Sequence, residues 1–281
     1  PRSTLFPYTT LFRSKRELEK LIEVSGTSLE IKRKIVEDLT EQGLYPYSAH
    51  YLETVKQRTG YYWDNHFSTI GIIGMNEALE NLIGRNIASA EGQATAKEIM
   101  QFLREHIQEL QQKTGHVYNL EATPAEGTAY RLARKDLGRY PDIKHAGETT
   151  PYYTNSAQLP VGYTSDIFEA LELQDDLQTM FTGGTVLHLY LGEAIEDPEM
   201  CKLLLQKIFN SYKLPYVSIT PTFSICPKDG YLNGEQFNCP HCNGATEVYS
   251  RVTGYLRPIQ NFHEGKRDES FDRKKYSLPR I

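Results

Sequence analysis

The chain has 281 residues, 39% of them hydrophobic, and a formal net charge of −5. That is enough apolar material for one large domain or two ordinary ones, and the acidic balance argues against general affinity for nucleic acid. No run of about 18 apolar residues occurs, so no membrane span is expected. The four cysteines are too few and too unevenly placed for a secreted disulfide framework, which points to the cytoplasm.

Residues 1–14 (PRSTLFPYTTLFRS) show neither helical nor strand period and resemble translated sequencing-adapter sequence, so they are set aside as non-native. On that reading, residues 15–281 are a C-terminal piece of a longer protein. Leu18, Leu21, Ile22, Leu29, Ile31, Ile35, Val36 and Leu39 predict two amphipathic helices split at Ser25-Gly26. Residues 67–74 (FSTIGIIG) form a continuous apolar run leading into a helix at Met75, the pattern of a parallel strand buried on both faces. A long helix is expected over 95–113 and a strand over 116–121. Thr123-Pro124-Ala125-Glu126 then reads as a capping box with proline at N1, which accounts for Glu126 structurally. Glu121 is different: a carboxylate at the C-terminal end of a parallel strand sits where α/β barrels build active sites, though an ordinary strand-end glutamate fits too.

Beyond the polar connection 151–162 (PYYTNSAQLPVG), a helix is predicted over 166–180, started by Asp166 and Glu169. Thr182-Gly183-Gly184-Thr185 precedes a strand over 186–191. Phosphate loops normally precede helices, so these glycines read first as a helix end and turn. Asp197-Pro198 starts a helix through Ser211, with Leu203, Leu204, Ile208 and Phe209 on its inner side and Cys201 as a small core residue. A last strand is expected over 216–220. Strands separated by helices predict parallel, right-handed βα units.

The most informative stretch is 226–276. Cys226, Cys239 and Cys242, the last two a C-x-x-C pair, have zinc spacing, and Asp229 stands where a fourth Cys or His is usual. A fully protein-ligated site of this kind is structural. His241 lies inside the C-x-x-C, where its side chain points away. Next comes 251–258, Arg-Val-Thr-Gly-Tyr-Leu-Arg-Pro. Taken alone, Gly254 would simply make a turn between two short strands.

Together these residues resemble the anaerobic (class III) ribonucleoside-triphosphate reductases. The likeness is carried by HFSTIGIIGMNEA, NLEATPAE, YTNSAQLPV with TGGTVLHLYLGE, the cysteine cluster followed by RVTGYLRP, and a tail containing Asn261, Gly265, Lys266, Glu269 and Arg273. It implies an α/β fold, the C-terminal half of a ten-stranded α/β barrel over 15–220, a zinc module over 221–250, and a glycyl-radical loop and tail over 251–281. Gly254 maps to the radical carrier. Glycine suits that role because its α-carbon radical is planar and delocalised between amide nitrogen and carbonyl, which a Cβ would hinder. The implied reaction reduces ribonucleoside triphosphates to deoxyribonucleoside triphosphates without oxygen. A radical S-adenosylmethionine activase makes the glycyl radical, which makes a thiyl radical on a cysteine, and formate or a thioredoxin-type protein is the reductant. The implied parent is a homodimer, with Glu121 handling protons near the ribose or formate. The family's thiyl cysteine has no match here, since Cys201 is the one cysteine outside the zinc pattern. The alternative is a zinc-stabilised module that lends a radical glycine to a damaged partner, but such modules lack the preceding βα units. The tail beyond the loop reads as charged and flexible.

Overall fold

The computed structural model describes residues 7–124, 126–252 and 254–277. The helices are α1 (Pro7–Glu41), α2 (Pro46–Thr59), α3 (Met75–Ile83), α4 (Ala90–Thr114), α5 (Glu126–Arg139), α6 (Ile167–Gln178), α7 (Pro198–Ser211) and α8 (Glu264–Asp272). The strands are β1 (Ser68–Gly71), β2 (Tyr118–Glu121), β3 (Leu187–Leu191), β4 (Val217–Pro221), β5 (Phe223–Cys226), β6 (Gly230–Asn233), β7 (Glu247–Arg251) and β8 (Leu256–Pro258). They divide into two compact units, one of residues up to 71 with 97–121, the other of 72–96 with 122 onward.

In the first unit β1 and β2 pair in parallel, Ser68 opposite Tyr118 and Gly71 opposite Glu121. The expected break in the first helix is absent, because α1 runs unbroken through Ser25-Gly26. A Cβ at Gly26 would lie 2.7 Å from Leu110 Cδ2 on α4, so this glycine permits close helix packing. That packing outweighs the ~1 kcal/mol propensity cost of a mid-helix glycine. Residues 7–14, set aside on sequence grounds, belong to the same helix, and Ser14 Oγ donates to the Thr10 carbonyl at 3.0 Å. Residues 1–6 of that segment lie outside the described residues.

In the second unit β3 and β4 pair in parallel, with His188 opposite Ser218 and Tyr190 opposite Thr220. The period-2 alternation of β3 sends Leu187, Leu189 and Leu191 into a core with Ile167 and Leu171 of α6 and Leu204 and Ile208 of α7. His188 and Tyr190 thereby fall on the opposite, polar face. Truncating the fully buried Leu189 to alanine would cost about 2–5 kcal/mol.

Helix starts follow the local chemistry. Asp166 accepts from the amides of Phe168 (2.8 Å) and Glu169 (3.3 Å), and Asp197 accepts from Glu199 at 2.9 Å. Two expectations fail. Leu203 and Phe209 are about half exposed, so only one narrow stripe of α7, centred on Leu204 and Ile208, is buried. Helix α5 begins at Glu126 rather than at Pro124, and the Ala125 position of the expected capping box lies outside the described residues. The 182–185 turn binds protein: the Gly184 carbonyl accepts from the Ala122 amide at 3.0 Å.

Beyond β4 the chain turns antiparallel, forming a four-stranded sheet in the order β6-β5-β7-β8. Val248 of β7 and Val252 just beyond it pack with Ile259 and Phe262. The tail, expected to be flexible, instead folds into a 3-10 turn (Ile259–Asn261) and α8, where Lys266, Glu269 and Arg273 are buried. Lys266 and Arg273 share the single carboxylate of Glu269 there, and Asn155 and two backbone carbonyls take further donors.

Candidate metal centre and glycine loop

Hairpin β5–β6 places Cys226 opposite Gly230. The turn between them, Cys226-Pro227-Lys228-Asp229, has the same form as Cys239-Pro240-His241-Cys242. In each, the amide of the third residue points at the sulfur of the first, Lys228 N to Cys226 Sγ and His241 N to Cys239 Sγ, both 3.4 Å. Amides aimed at sulfur stabilise thiolate, the ligating form. By this correspondence Asp229 occupies in the first turn the place that Cys242 holds in the second. The second turn is closed by Cys239 N to Gly244 O and Asn243 N to Cys239 O, each 2.8 Å, with Asn243 in the left-handed region at φ 54°.

The four side chains converge. Their donor atoms lie within 4.8 Å of one another, with Cys226 Sγ 3.5 Å from Cys242 Sγ and Asp229 Oδ2 3.1 Å from Cys239 Sγ. A tetrahedron with metal–sulfur bonds of about 2.3 Å has edges of about 3.8 Å, so the spacing fits a zinc-sized ion. The cost of this crowding falls on Cys242. Cys242 is pushed up to about 12, chiefly by the Asp229 carboxylate. Cys226 is lowered, chiefly by the Asp229 amide, and Asp229 is lowered by hydrogen bonds from Cys242 and Cys239. Such crowding of would-be anions is what a divalent ion relieves. Cys226 and Cys239 are buried around Leu232, whereas His241 is exposed and outside the cluster.

Strands β7 and β8 pair through Arg251 and Leu256, which makes Gly254 part of a short loop at the hairpin's end. Val252 N donates to Tyr255 O at 3.1 Å. Gly254 is exposed, is not among the positive-φ glycines, and would offer an added Cβ open space, with no atom of the described residues within 4 Å. Neither conformation nor packing demands glycine here. The loop rests on the polar face of β3–β4: Arg251 Nε donates to Thr220 Oγ1 at 3.1 Å while its Nη1 donates to the Gly254 carbonyl at 2.6 Å.

Glu121 ends β2, half-buried after three buried residues. It belongs to the first unit, and the metal cluster and Gly254 to the second. Cys201 is on α7, apart from the cluster of the other three cysteines. Sequence reasoning missed the buried trio of α8, although Lys266, Glu269 and Arg273 recur at i, i+3 and i+7 on one helical face, a spacing that brings side chains together.

Fold and side chains together define an α/β protein that carries a cysteine-rich, metal-type cluster at one end of β7 and an exposed glycine hairpin at the other. The chain belongs to the anaerobic ribonucleoside-triphosphate reductase family, whose sequence model matches residues 11–276. It is 26% identical over 218 residues to the anaerobic ribonucleoside-triphosphate reductase of Escherichia coli K12, covering 72% of this chain and 30% of the relative. To that of Enterobacteria phage T4 it is 28% identical over 125 residues, covering 44% and 19%. Among solved structures, an anaerobic ribonucleotide reductase superposes with a TM-score of 0.74 at 23% identity, over 96% of this chain and 44% of the other. The Thermotoga maritima enzyme in complex with dATP and CTP gives 0.70 at 22% identity, over 92% and 41%. The fold is thus that of the anaerobic reductases, and the chain spans about a third of the length of the curated relatives it matches. No helix among the described residues is long and apolar enough to cross a membrane.

Proposed function

We propose that this chain supplies the radical-bearing and zinc-bearing parts of an enzyme that reduces ribonucleoside triphosphates to deoxyribonucleoside triphosphates without oxygen. The observation that carries the reading is Gly254: a glycine required by neither backbone angle nor space among the described residues, on the same sheet as a three-cysteine, one-aspartate cluster. A residue unexplained by architecture is explained by chemistry that only glycine permits. Zinc would be held by Cys226, Asp229, Cys239 and Cys242 and would brace the sheet from which the loop projects.

In this reading a radical S-adenosylmethionine activase removes one α-hydrogen of Gly254. The resulting radical takes a hydrogen from a cysteine thiol, and the thiyl radical attacks the ribose. Cys201, on a helix apart from the cluster, is not assigned that role. Glu121 is assigned proton handling near the ribose or the reductant, which is formate or a thioredoxin-type protein. The complex of the Thermotoga maritima relative with dATP and CTP supports a nucleotide substrate. We assign residues 15–220 to the barrel, 221–250 to the zinc module and 251–281 to the radical loop and tail, with 1–14 non-native. Leu21, Val24, Ile31 and Ile35, all exposed on one face of α1, favour a second copy as partner. Four unpaired cysteines favour a reducing cytoplasm.

The test is anaerobic activation of the chain with the activase and S-adenosylmethionine. A doublet electron-paramagnetic-resonance signal, split by the one remaining α-hydrogen, is expected, and admission of oxygen should cut the chain at Gly254. Absence of the doublet, or cleavage elsewhere, would overturn the assignment.

A further inference from the structure

Helix α8 and Arg273, the residue that caps its C-terminal end, carry a buried ion triad with an unusual outlet. Glu269 Oε2 accepts from Lys266 Nζ at 2.5 Å and Glu269 Oε1 from Arg273 Nη2 at 2.8 Å, and all three side chains are at most 3% exposed. Lys266 also donates to Asn155 Oδ1 at 2.8 Å. Glu269 is shared between the two cations, and Glu126 also acts on Lys266. Arg273 extends its remaining donors toward the glycine loop: Nη1 donates to the Arg251 carbonyl at 3.0 Å, Nη2 to the Val252 carbonyl at 3.3 Å, and the guanidinium lies 4.0 Å over the Tyr190 ring. These carbonyls are the last of β7 and the first of the loop. Arg251, fixed at its backbone in this way, then reaches back to the Gly254 carbonyl.

We propose that Arg273 is a positioning residue for Gly254, acting through Arg251. The two arginines form a relay from the buried triad to the carbonyl of the exposed glycine, and hold that peptide in one orientation although a Cβ there would meet no atom of the described residues within 4 Å. The relay needs guanidinium at Arg273, because only a planar fork bonds two successive carbonyls and a carboxylate at once; an ammonium cannot span them. It explains why so costly a buried charge cluster sits in a nine-residue helix.

The inference rests on reading Gly254 as the radical carrier only for its catalytic meaning; the positioning itself is measurable without activation. Arg273→Met leaves the neutral Lys266–Glu269 pair behind and should not unfold the unit. By hydrogen–deuterium exchange the peptide spanning 252–258 should exchange about ten- to a hundredfold faster, the loss expected for charged hydrogen bonds, while β3 and the cysteine turns stay as protected as before. Arg273→Lys should give an intermediate loop effect. Glu269→Gln, which strands two buried cations, should raise exchange throughout the second unit. On activation, Arg273→Met should give a several-fold lower spin yield than the unsubstituted chain. Unchanged loop exchange in Arg273→Met, a uniform rise across the unit, or full protection in Arg273→Lys would each overturn the proposal. A chain that shows the loop effect but never yields a radical in its unsubstituted form would instead refute the function assigned to Gly254.

Discussion

Replacing Gly254 by alanine tests whether this glycine is kept for its chemistry or for its shape. The added methyl would point into open space, since no atom of the described residues lies within 4 Å of it, and the backbone there is outside the left-handed region. At such positions Gly→Ala stabilises by about 0.4–1 kcal/mol, because the unfolded chain loses freedom. For a unit of this size that raises Tm by about 1–4 °C. Removal of an α-hydrogen is another matter, since a methyl hinders planar delocalisation. Thermal unfolding, zinc analysis and electron paramagnetic resonance after anaerobic activation should therefore give an unchanged or slightly raised Tm, unchanged zinc, and no doublet. A Tm lowered by more than about 4 °C would show that glycine is needed for architecture. A surviving doublet would place the radical on another residue.

Asp229→Ala should weaken zinc binding and loosen the β5–β6 turn; zinc content and affinity equal to the parent would remove Asp229 from the ligand set. Glu121→Gln, placed in a full-length enzyme carrying this segment, should lower turnover by more than about tenfold while leaving the Gly254 radical intact, and parental turnover would return Glu121 to an ordinary strand end. His188 is held down to about 4 by burial first and then by the charges of Arg251, Arg273 and Lys266. The folded state thus binds fewer protons than the unfolded one between about pH 4 and 6.5, so this contribution is present above pH 6.5 and is lost as pH falls through that window. Allowing for partial exposure it is on the order of 2 kcal/mol, and urea titrations of His188→Gln should show a correspondingly flatter acid limb. Gly265→Ala should destabilise by about 1–3 kcal/mol, because its Cβ would lie 2.7 Å from Tyr130 Cβ; a neutral Tm would contradict that packing.

The parts of the fold readable from sequence were those set by neighbouring residues. Asp166 and Asp197 cap their helices because a short carboxylate reaches amides two or three residues on, and the apolar runs at β1 and β3 pair in parallel with the strands that come after their helices, although β1 covers only 68–71 and is not buried on both faces, Thr69 and Gly71 being exposed. The metal-type cluster was legible because cysteine spacing survives without any knowledge of the fold. Long-range packing was not. Gly26 reads locally as a helix break, and only the presence of Leu110 against it shows why the helix continues. The tail from Glu264 reads as solvated because charge is its dominant feature; its burial depends on Asn155, Tyr190 and two backbone carbonyls that no local pattern reveals. The antiparallel sheet was likewise hidden, since its three- to five-residue strands carry too few positions for a period-2 pattern to register.

The position of β8 limits how another protein can take hold of Gly254. It is the outermost strand of its sheet, only three residues long, and it ends in Pro258, which has no amide hydrogen to offer. Such an edge is a poor template for an incoming strand. The activase proposed above would therefore meet the hairpin at its tip, where the Tyr255, Leu256 and Arg257 side chains around Gly254 are exposed, rather than extend the sheet.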